Sequence, residues 1–599
     1  MYQVYIKKVY KKNKGSEKKY TYWHLVDCLR TEAGPRQRLV LNLGRVDLPD
    51  ELRPELASSI EDLLAGRQRI IRSYPEVERL SQTFANRIVR KRQKEAPVGK
   101  ELVKVDINSV SCAQCRTIGA EYVGYTYYKK LGFAPLLKDL GFSQREADIA
   151  TLLTIGRLVY PASERATLRW AKSLSGLDEL IGCNFSHISK NILYHVGDRL
   201  LSVKDRIEAH LASTEANLFN LKEKIILYDI TNTYLEGRAL SNSKACFGKS
   251  KEKRSDARLV ALGLVVDERG FPKASCTFEG NITEHETFKD MVEVMLSRRE
   301  NKDENPTIVI DAGIATRENI LWLLKKNLHY TAVYKGKFPV EIDLSAPFTL
   351  IRKDESKDIK IEAVKYPGED ETYLLCKSRA KEKKEESIKS RIEKILLEKL
   401  QNLSKAIKTG KIKAPDKIYQ KIGRLKEKYS KVAQYYDISL KEGKLNYTRR
   451  KDITEKPSGT YLLRTNRSDL AEEEIWSIYS MIVNIEDSFK CLKSELGIRP
   501  VYHQKEGRVD SHIFISILAY HLLHSIEENL KQKGDHKSWK TVREVLSSHT
   551  RVTVNLASEN GLGYHIRVCT TPEKEHLEIY SKLGFDPVPI SRRSATFSL

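Results

Sequence analysis

Lys224-Ile-Ile-Leu-Tyr-Asp229 is a short run of strand-favouring apolar residues that ends in an acid. It is too short for a helix and reads as a buried strand. Downstream, Leu259-Val-Ala-Leu-Gly-Leu-Val-Val266 gives a second strand, Asp267-Glu-Arg-Gly270 a turn, and Phe271 to Phe278 a third strand. From His285 to Arg298, Phe288, Met291, Val292 and Met295 recur at helical spacing. Pro306-Thr-Ile-Val-Ile310 is another apolar strand, and it too ends in an acid, Asp311. A helix, Glu318 to Leu324, and a strand, Tyr330 to Tyr334, follow. Asp is a poor strand residue, and an unpaired charge at the end of a core strand is costly. Either acid alone reads as a turn or cap; the pair, in this strand order, points to a shared cation.

Three strands with a hairpin, then helix, strand, helix and strand, is the order of a ribonuclease-H-like core within an α/β multidomain chain. A third acid is needed to complete a divalent-metal site. Trp476 to Gly497 reads as one amphipathic helix on which Tyr479, Ile482, Glu486 and Lys493 stand three, four and seven residues apart, along one face. Taken alone, Glu486 and Lys490 would be an ordinary i,i+4 surface pair. Thr231 and Asn232 follow Asp229 directly and suit either a turn or the orientation of a metal-bound water.

Asp229 within YDIT, Asp311 within IDAGIA, and the YxxIxxxExxxxxxK pattern from Tyr479 to Lys493 resemble the DDE transposases of bacterial insertion sequences, in the branch with a Tyr-Arg-Glu-Lys signature. Tyr479, Glu486 and Lys493 keep the signature spacing, and Ile482 stands at the Arg position. The resemblance runs from about residue 221 to 530. It implies a ribonuclease-H-like catalytic core interrupted by a large insertion between the second Asp and the Glu. Asp311 and Glu486 are 175 positions apart, whereas βα connections usually take about 2 to 6 residues. It also implies a catalytic triad of Asp229, Asp311 and Glu486 that cuts the element's ends and joins them to target DNA. The three carboxylates offer only oxygen, which suits Mg²⁺ or Mn²⁺ and not zinc. Two ions would serve an in-line displacement, with Asp229 bridging them, Asp311 holding one and Glu486 the other. Tyr479 and Lys493 would position backbone phosphates, and Lys490 or Arg499 could compensate for Ile482. Terminal repeats and target DNA are the expected partners, and two ends held together imply a homodimer. Two alternatives keep less of this: a structure-selective nuclease that hydrolyses DNA without joining it, or a DNA-binding relative without chemistry.

Composition agrees. The chain has 599 residues, room for several domains, with 40% apolar and 31% charged residues, so wholesale disorder is excluded. Lys plus Arg is 104 against 80 Asp plus Glu, a net +24 that points to a polyanionic partner. From Lys377 to Lys456 there are 25 basic and 11 acidic residues, so this stretch holds more than half of the surplus. Its apolar residues recur at helical spacing and break near Gly410 and Pro415, giving two long basic helices inside the expected insertion. The expected organisation is an N-terminal α/β region (1–100), a helical, DNA-end-binding region (101–220), the first part of the core (221–335), the basic insertion with strands and two long helices (336–458), the second part of the core with the Glu486 helix (459–535) and a C-terminal region (536–599).

No apolar run reaches membrane-spanning length; the nearest, Phe514 to Leu523, contains His521. The N-terminus shows no signal-peptide pattern and nine scattered cysteines suit a reducing compartment, so a cytoplasmic, nucleoid-associated protein is expected. Cys112 and Cys115 form a lone CxxC without a second pair at zinc spacing, and no Walker-type phosphate loop is present. His503, His512, His521 and His524 read as packing or hydrogen-bonding residues.

Overall fold

The computed structural model describes residues 4–12, 19–31, 34–64, 74–94, 103–248, 254–298, 305–336, 346–354, 359–441, 443–450, 458–559 and 561–598. They divide into two compact units, one of Met1–Ala113, Val554–Ile566 and Arg593–Leu599, the other of Gln114–Thr553 and Arg567–Arg592.

In the first unit an antiparallel sheet, Val4–Lys12, Lys19–Thr31 and Gly34–Gly44, packs on helices Arg53–Leu64 and Pro75–Lys94 around Trp23, Leu25, Leu43, Leu56, Ile60 and Phe84. The lysines of the first strand mask its alternation in the sequence. Val4 and Ile6 nevertheless pack on the core, and Lys8 Nζ lies 5.6 Å from the Trp23 ring centre.

The second unit is organised by a nine-stranded sheet. Its strands in chain order are β1 (Ile225–Tyr234), β2 (Leu259–Asp267), β3 (Pro272–Glu279), β4 (Thr307–Ile310), β5 (His329–Tyr334), β6 (Thr349–Asp354), β7 (Ile359–Pro367), β8 (Thr372–Ser378) and β9 (Thr460–Thr465). Across the sheet they lie in the order β6-β7-β8-β9-β5-β4-β1-β2-β3. β1 to β3 form an antiparallel meander, and β4 is parallel to both β1 and β5. The hairpin turns on Asp267, whose Oδ1 accepts from the Arg269 and Phe271 amides at 3.0 and 2.9 Å. Gly270 there has φ +93°, a conformation that side chains disfavour.

Period two sorts the sheet's side chains. Ile226, Tyr228, Ile308 and Ile310 enter one core with Phe288, Met291 and Ile320; Leu227 and Val309 enter the other. That second core also takes the apolar faces of the helices between residues 119 and 219, together with the long helix Glu506–Gln532. The run Phe514 to Leu523 is buried along this central helix, and among the described residues no helix is long and apolar enough to cross a membrane.

In the insertion, β8 leads into α1 (Arg379–Lys408), followed by α2 (Pro415–Lys428) and the hairpin Tyr436–Lys441/Lys444–Arg449. The distal part of α1, α2 and the hairpin share a small core of Leu396, Leu400, Leu403, Ile418, Ile422, Val432, Tyr436 and Leu445. β9 then returns to the sheet between β8 and β5.

Three histidines, two of them buried and His524 half-buried, give the protein a pH signature. Burial pushes His524 and His549 down to about 4, and burial together with Arg157 does the same to His512. The rings are neutral in the folded chain but take up a proton in the unfolded chain below its ordinary pKa of about 6.5. Their contribution is therefore present above pH 6.5 and lost as pH falls toward 4. The midpoint of thermal unfolding should drop steadily between pH 7 and pH 5; a flat profile would show that these rings titrate normally.

Candidate active site

Asp229 sits on β1 two residues after Leu227, so it points to the same face. Asp311 follows β4 and continues the face of Val309. β1 and β4 pair in parallel with Leu227 opposite Val309. The pairing ends there: Asp229 lies two residues further along β1, and Asp311 two residues further, in the segment that leaves β4. Asp229 is half-buried, and its Oδ1 accepts from the Ile230 amide at 2.8 Å; Asp311 is exposed.

The third acid comes from the helix that covers this face. The segment read as one helix from Trp476 to Gly497 is two, α3 (Glu472–Ser480) and α4 (Ile482–Ser494). At the junction the ladder tightens: Met481 N bonds Ile478 O at 3.2 Å and Asn484 N bonds Met481 O at 2.8 Å. The Asn484 side chain ties the start of α4 to Glu268 O at 2.7 Å. The shared-face argument thus holds within α4 and not across the whole segment. Ile485, Phe489 and Leu492 of α4 are buried in the core, and Glu486, Lys490 and Lys493, each one residue further round, form the adjacent stripe.

That stripe and Asp229 line one cleft of about 460 Å³, with Thr231, Phe489, Ser494 and Arg499 completing its wall. Thr231 Oγ1 is buried there and makes no hydrogen bond within the protein. Tyr479, on α3, is half-buried, and burial followed by the nearby carboxylates of Asp311 and Glu486 pushes its hydroxyl up to about 12. Tyr479 therefore feels both acids, one from the sheet and one from α4, and keeps its proton at neutral pH. Its ring lies 6.4 Å from that of Tyr461 on β9. Ile482 packs against the main core.

Two features were not legible in the sequence. Glu284 reaches the loop after Asp311: a Cβ on Gly313 would meet its Oε2 at 2.8 Å. Glu164 joins His503 and His512, the three forming the one group among the described residues whose ligand atoms all lie within 4.8 Å of one another. Arg157 already supplies a cation there, with its Nη2 3.1 Å from His512 Nδ1 and 3.8 Å from Glu164 Oε1. We read this group as a buried ion-pair network, formed by residues more than 330 positions apart in sequence. The signal that could have found it is only the pairing of a buried acid and a buried base on separate helices.

Asp229 and Glu486 offer only oxygen donors to the cleft, with the unbonded buried Thr231 hydroxyl beside them, and Asp311 is not part of its lining; oxygen donors of this kind suit a hard divalent cation.

The profile of the Transposase DDE domain family matches residues 221–522, just over half of the chain and all three acids. The chain belongs to this family and is a DDE transposase. A second profile, the N-terminal domain of IS1634 family transposases, matches residues 6–76, which agrees with an insertion-sequence origin. No curated protein gave a match. Among solved structures, the chain is similar to a piggyBac transposase in a synaptic complex with hairpin DNA, at 8% identity, over 67% of this chain and 70% of that one, with a TM-score of 0.33.

Proposed function

We propose that this transposase cuts DNA at the ends of its insertion sequence and joins the 3′ ends to target DNA, using Asp229, Asp311 and Glu486 as its catalytic carboxylates. What supports the reading is that Asp229 and Glu486 line one cleft, and that Asp311, outside that lining, directly follows the strand paired in parallel with the strand of Asp229. The order β3-β2-β1-β4-β5, with an antiparallel meander followed by two parallel strands, supports a ribonuclease-H-like core. The residues from β6 through the hairpin Tyr436–Lys441/Lys444–Arg449 then make up its insertion.

Asp229, Asp311 and Glu486 would hold two Mg²⁺ or Mn²⁺ ions. Bound there, the metals would lower the pKa of the attacking oxygen and stabilise the leaving one. The protein's own groups do the rest. Lys490, Lys493 and Arg499 offset the acids of the cleft and would draw in the phosphodiester backbone. Thr231 Oγ1 is free to orient a water or 3′-hydroxyl beside Asp229. Tyr479 would donate its O–H to a backbone phosphate near Asp311 and Glu486. Tyr479→Phe should lower cleavage about 10-fold, the value of one hydrogen bond to a charged group, with an unchanged pH–rate profile from pH 6 to 9. An unchanged rate would remove Tyr479 from the phosphate contacts.

Held together, two ends imply two copies of the chain, so a dimer is expected in the DNA complex. The test of function is a duplex carrying the element's terminal repeats, incubated with the protein and Mg²⁺ and analysed for nicks at the repeat boundary and for joined products. Nicks without joined products would favour the nuclease alternative.

A further inference from the structure

The distal part of the insertion takes no part in the site, yet it carries the steepest charge of the chain. Between Lys399 and Lys431 there are eleven Lys and Arg and only two acids, Asp416 and Glu427. All eleven basic residues are exposed. The ion pairs Lys381–Glu385 and Arg449–Glu393 lie outside this stretch, and among the described residues none joins one of the eleven to a carboxylate. So concentrated a surplus repels itself and is usually offset by acids on the same face; here it is left for a partner.

The charge is also ordered. On α2, Ile418, Ile422 and Leu425 face the small distal core, while Lys417, Lys421, Arg424 and Lys428 recur at spacings of four, three and four. That spacing makes one continuous stripe along the outer face of the helix, about 17 Å long. The stripe rests on a core of its own, so it is a rigid surface and not a floppy tail.

Its place follows from where the insertion is rooted. α1 starts at Arg379, directly after β8, on which Cys376 pairs with Tyr461, and the Tyr461 ring packs near Tyr479 of the candidate site. From that root α1 runs for 30 residues, about 45 Å, the length of about 13 base pairs at about 3.4 Å each.

We propose that the tip of the insertion is a second DNA grip, in which the stripe of Lys417, Lys421, Arg424 and Lys428 binds the phosphate backbone of the same duplex that enters the cleft, about one helical turn or more from the scissile bond. This rests on the transposase reading above and adds to it a contact remote from the chemistry. The contact is to phosphates, because three of the four stripe residues are lysines, which bind phosphate as point charges, and the four lie along one straight helix face at the spacing of a backbone track.

The test uses the full chain with all four stripe residues changed to Gln, beside a charge-keeping control, Lys417→Arg, Lys421→Arg and Lys428→Arg. Both are compared with wild type on a long repeat duplex, about 25 base pairs either side of the boundary, and on a short one of about 6, which ends before the tip's reach. On the long duplex the Gln variant should bind about 10- to 100-fold more weakly, with a log–log salt slope shallower by about 3 units. On the short duplex all three proteins should bind and cleave alike, and the Arg control should match wild type throughout. An unchanged slope on the long duplex would overturn the proposal. Equal losses on both duplexes would also overturn it, since the cations would then act at the cleft. A loss seen only with an unrelated target duplex added to prebound short ends would overturn it in favour of target DNA. If the wild type cleaves neither duplex while the slope difference persists, the catalytic reading fails and the grip stands.

Discussion

Glu486→Gln should abolish strand cleavage, by at least about 10³-fold, while leaving the fold and DNA binding intact. The residue is exposed, on the stripe of α4 next to the buried Ile485, Phe489 and Leu492, so its amide isostere disturbs no packing. It removes a negative oxygen from the proposed site, whose other acids are Asp229 on β1 and Asp311 just after the adjacent β4. Asp229→Asn and Asp311→Asn should behave in the same way, and the three losses should not add, because the carboxylates act as one unit. Gel-shift affinity for a repeat duplex, measured beside the cleavage rate, separates lost chemistry from lost binding. Cleavage by Glu486→Gln within tenfold of wild type would remove this residue from the triad.

The largest effect on stability is expected at Glu164. Its side chain is 6% exposed and that of Arg157 is 4% exposed. Burial alone would raise the Glu164 carboxyl, but the hydrogen bond from His503 Nε2, at 2.8 Å, holds it well below the usual carboxylate range. Arg157 also donates to Gly497 O at 3.3 Å, just beyond α4. Glu164→Ala would leave the guanidinium buried without its counter-charge, a change that costs about 3–5 kcal/mol. Urea unfolding should show this as a lower midpoint with an unchanged slope. Because Arg157 holds the chain just after α4, the variant should also lose cleavage at temperatures below its unfolding. A cost under about 1 kcal/mol would mean that the network is solvated and structurally idle.

How much of this was readable beforehand differed from element to element. The strands that carry Asp229 and precede Asp311 were legible because apolar runs followed by an acid are rare and local; β1 does not end at Asp229 as expected but runs on to Tyr234, because Thr231, Asn232 and Thr233 continue its pairing with β2. The helix carrying Glu486 was legible by its period, but its break at Met481 was not, since that depends on Asn484 reaching Glu268 across the fold. The first strand, Val4–Lys12, was hidden by its lysines. The insertion's basic helices were found from periodicity, whereas their separate core was not, because the hairpin that completes it packs through Tyr436, Ile438 and Leu445, residues that resemble any short strand. The helices between residues 119 and 219 were read as a region of their own; they bury their faces in the same core as β1, β2 and α4. Such sharing is a property of long-range packing, and no local pattern announces it. Glu164 reaches its partners only through the fold, so residue spacing gave no hint of it.

The most direct test of the central claim is strand cleavage of a duplex bearing the element's own terminal repeats, with Mg²⁺ and with EDTA, read at single-nucleotide resolution. The account predicts metal-dependent nicks at the repeat boundary, absent with EDTA and absent for Asp229→Asn under the same binding. Tight binding of the repeats by the wild type with no cleavage in Mg²⁺ or Mn²⁺ would contradict it and leave a DNA-binding relative without chemistry.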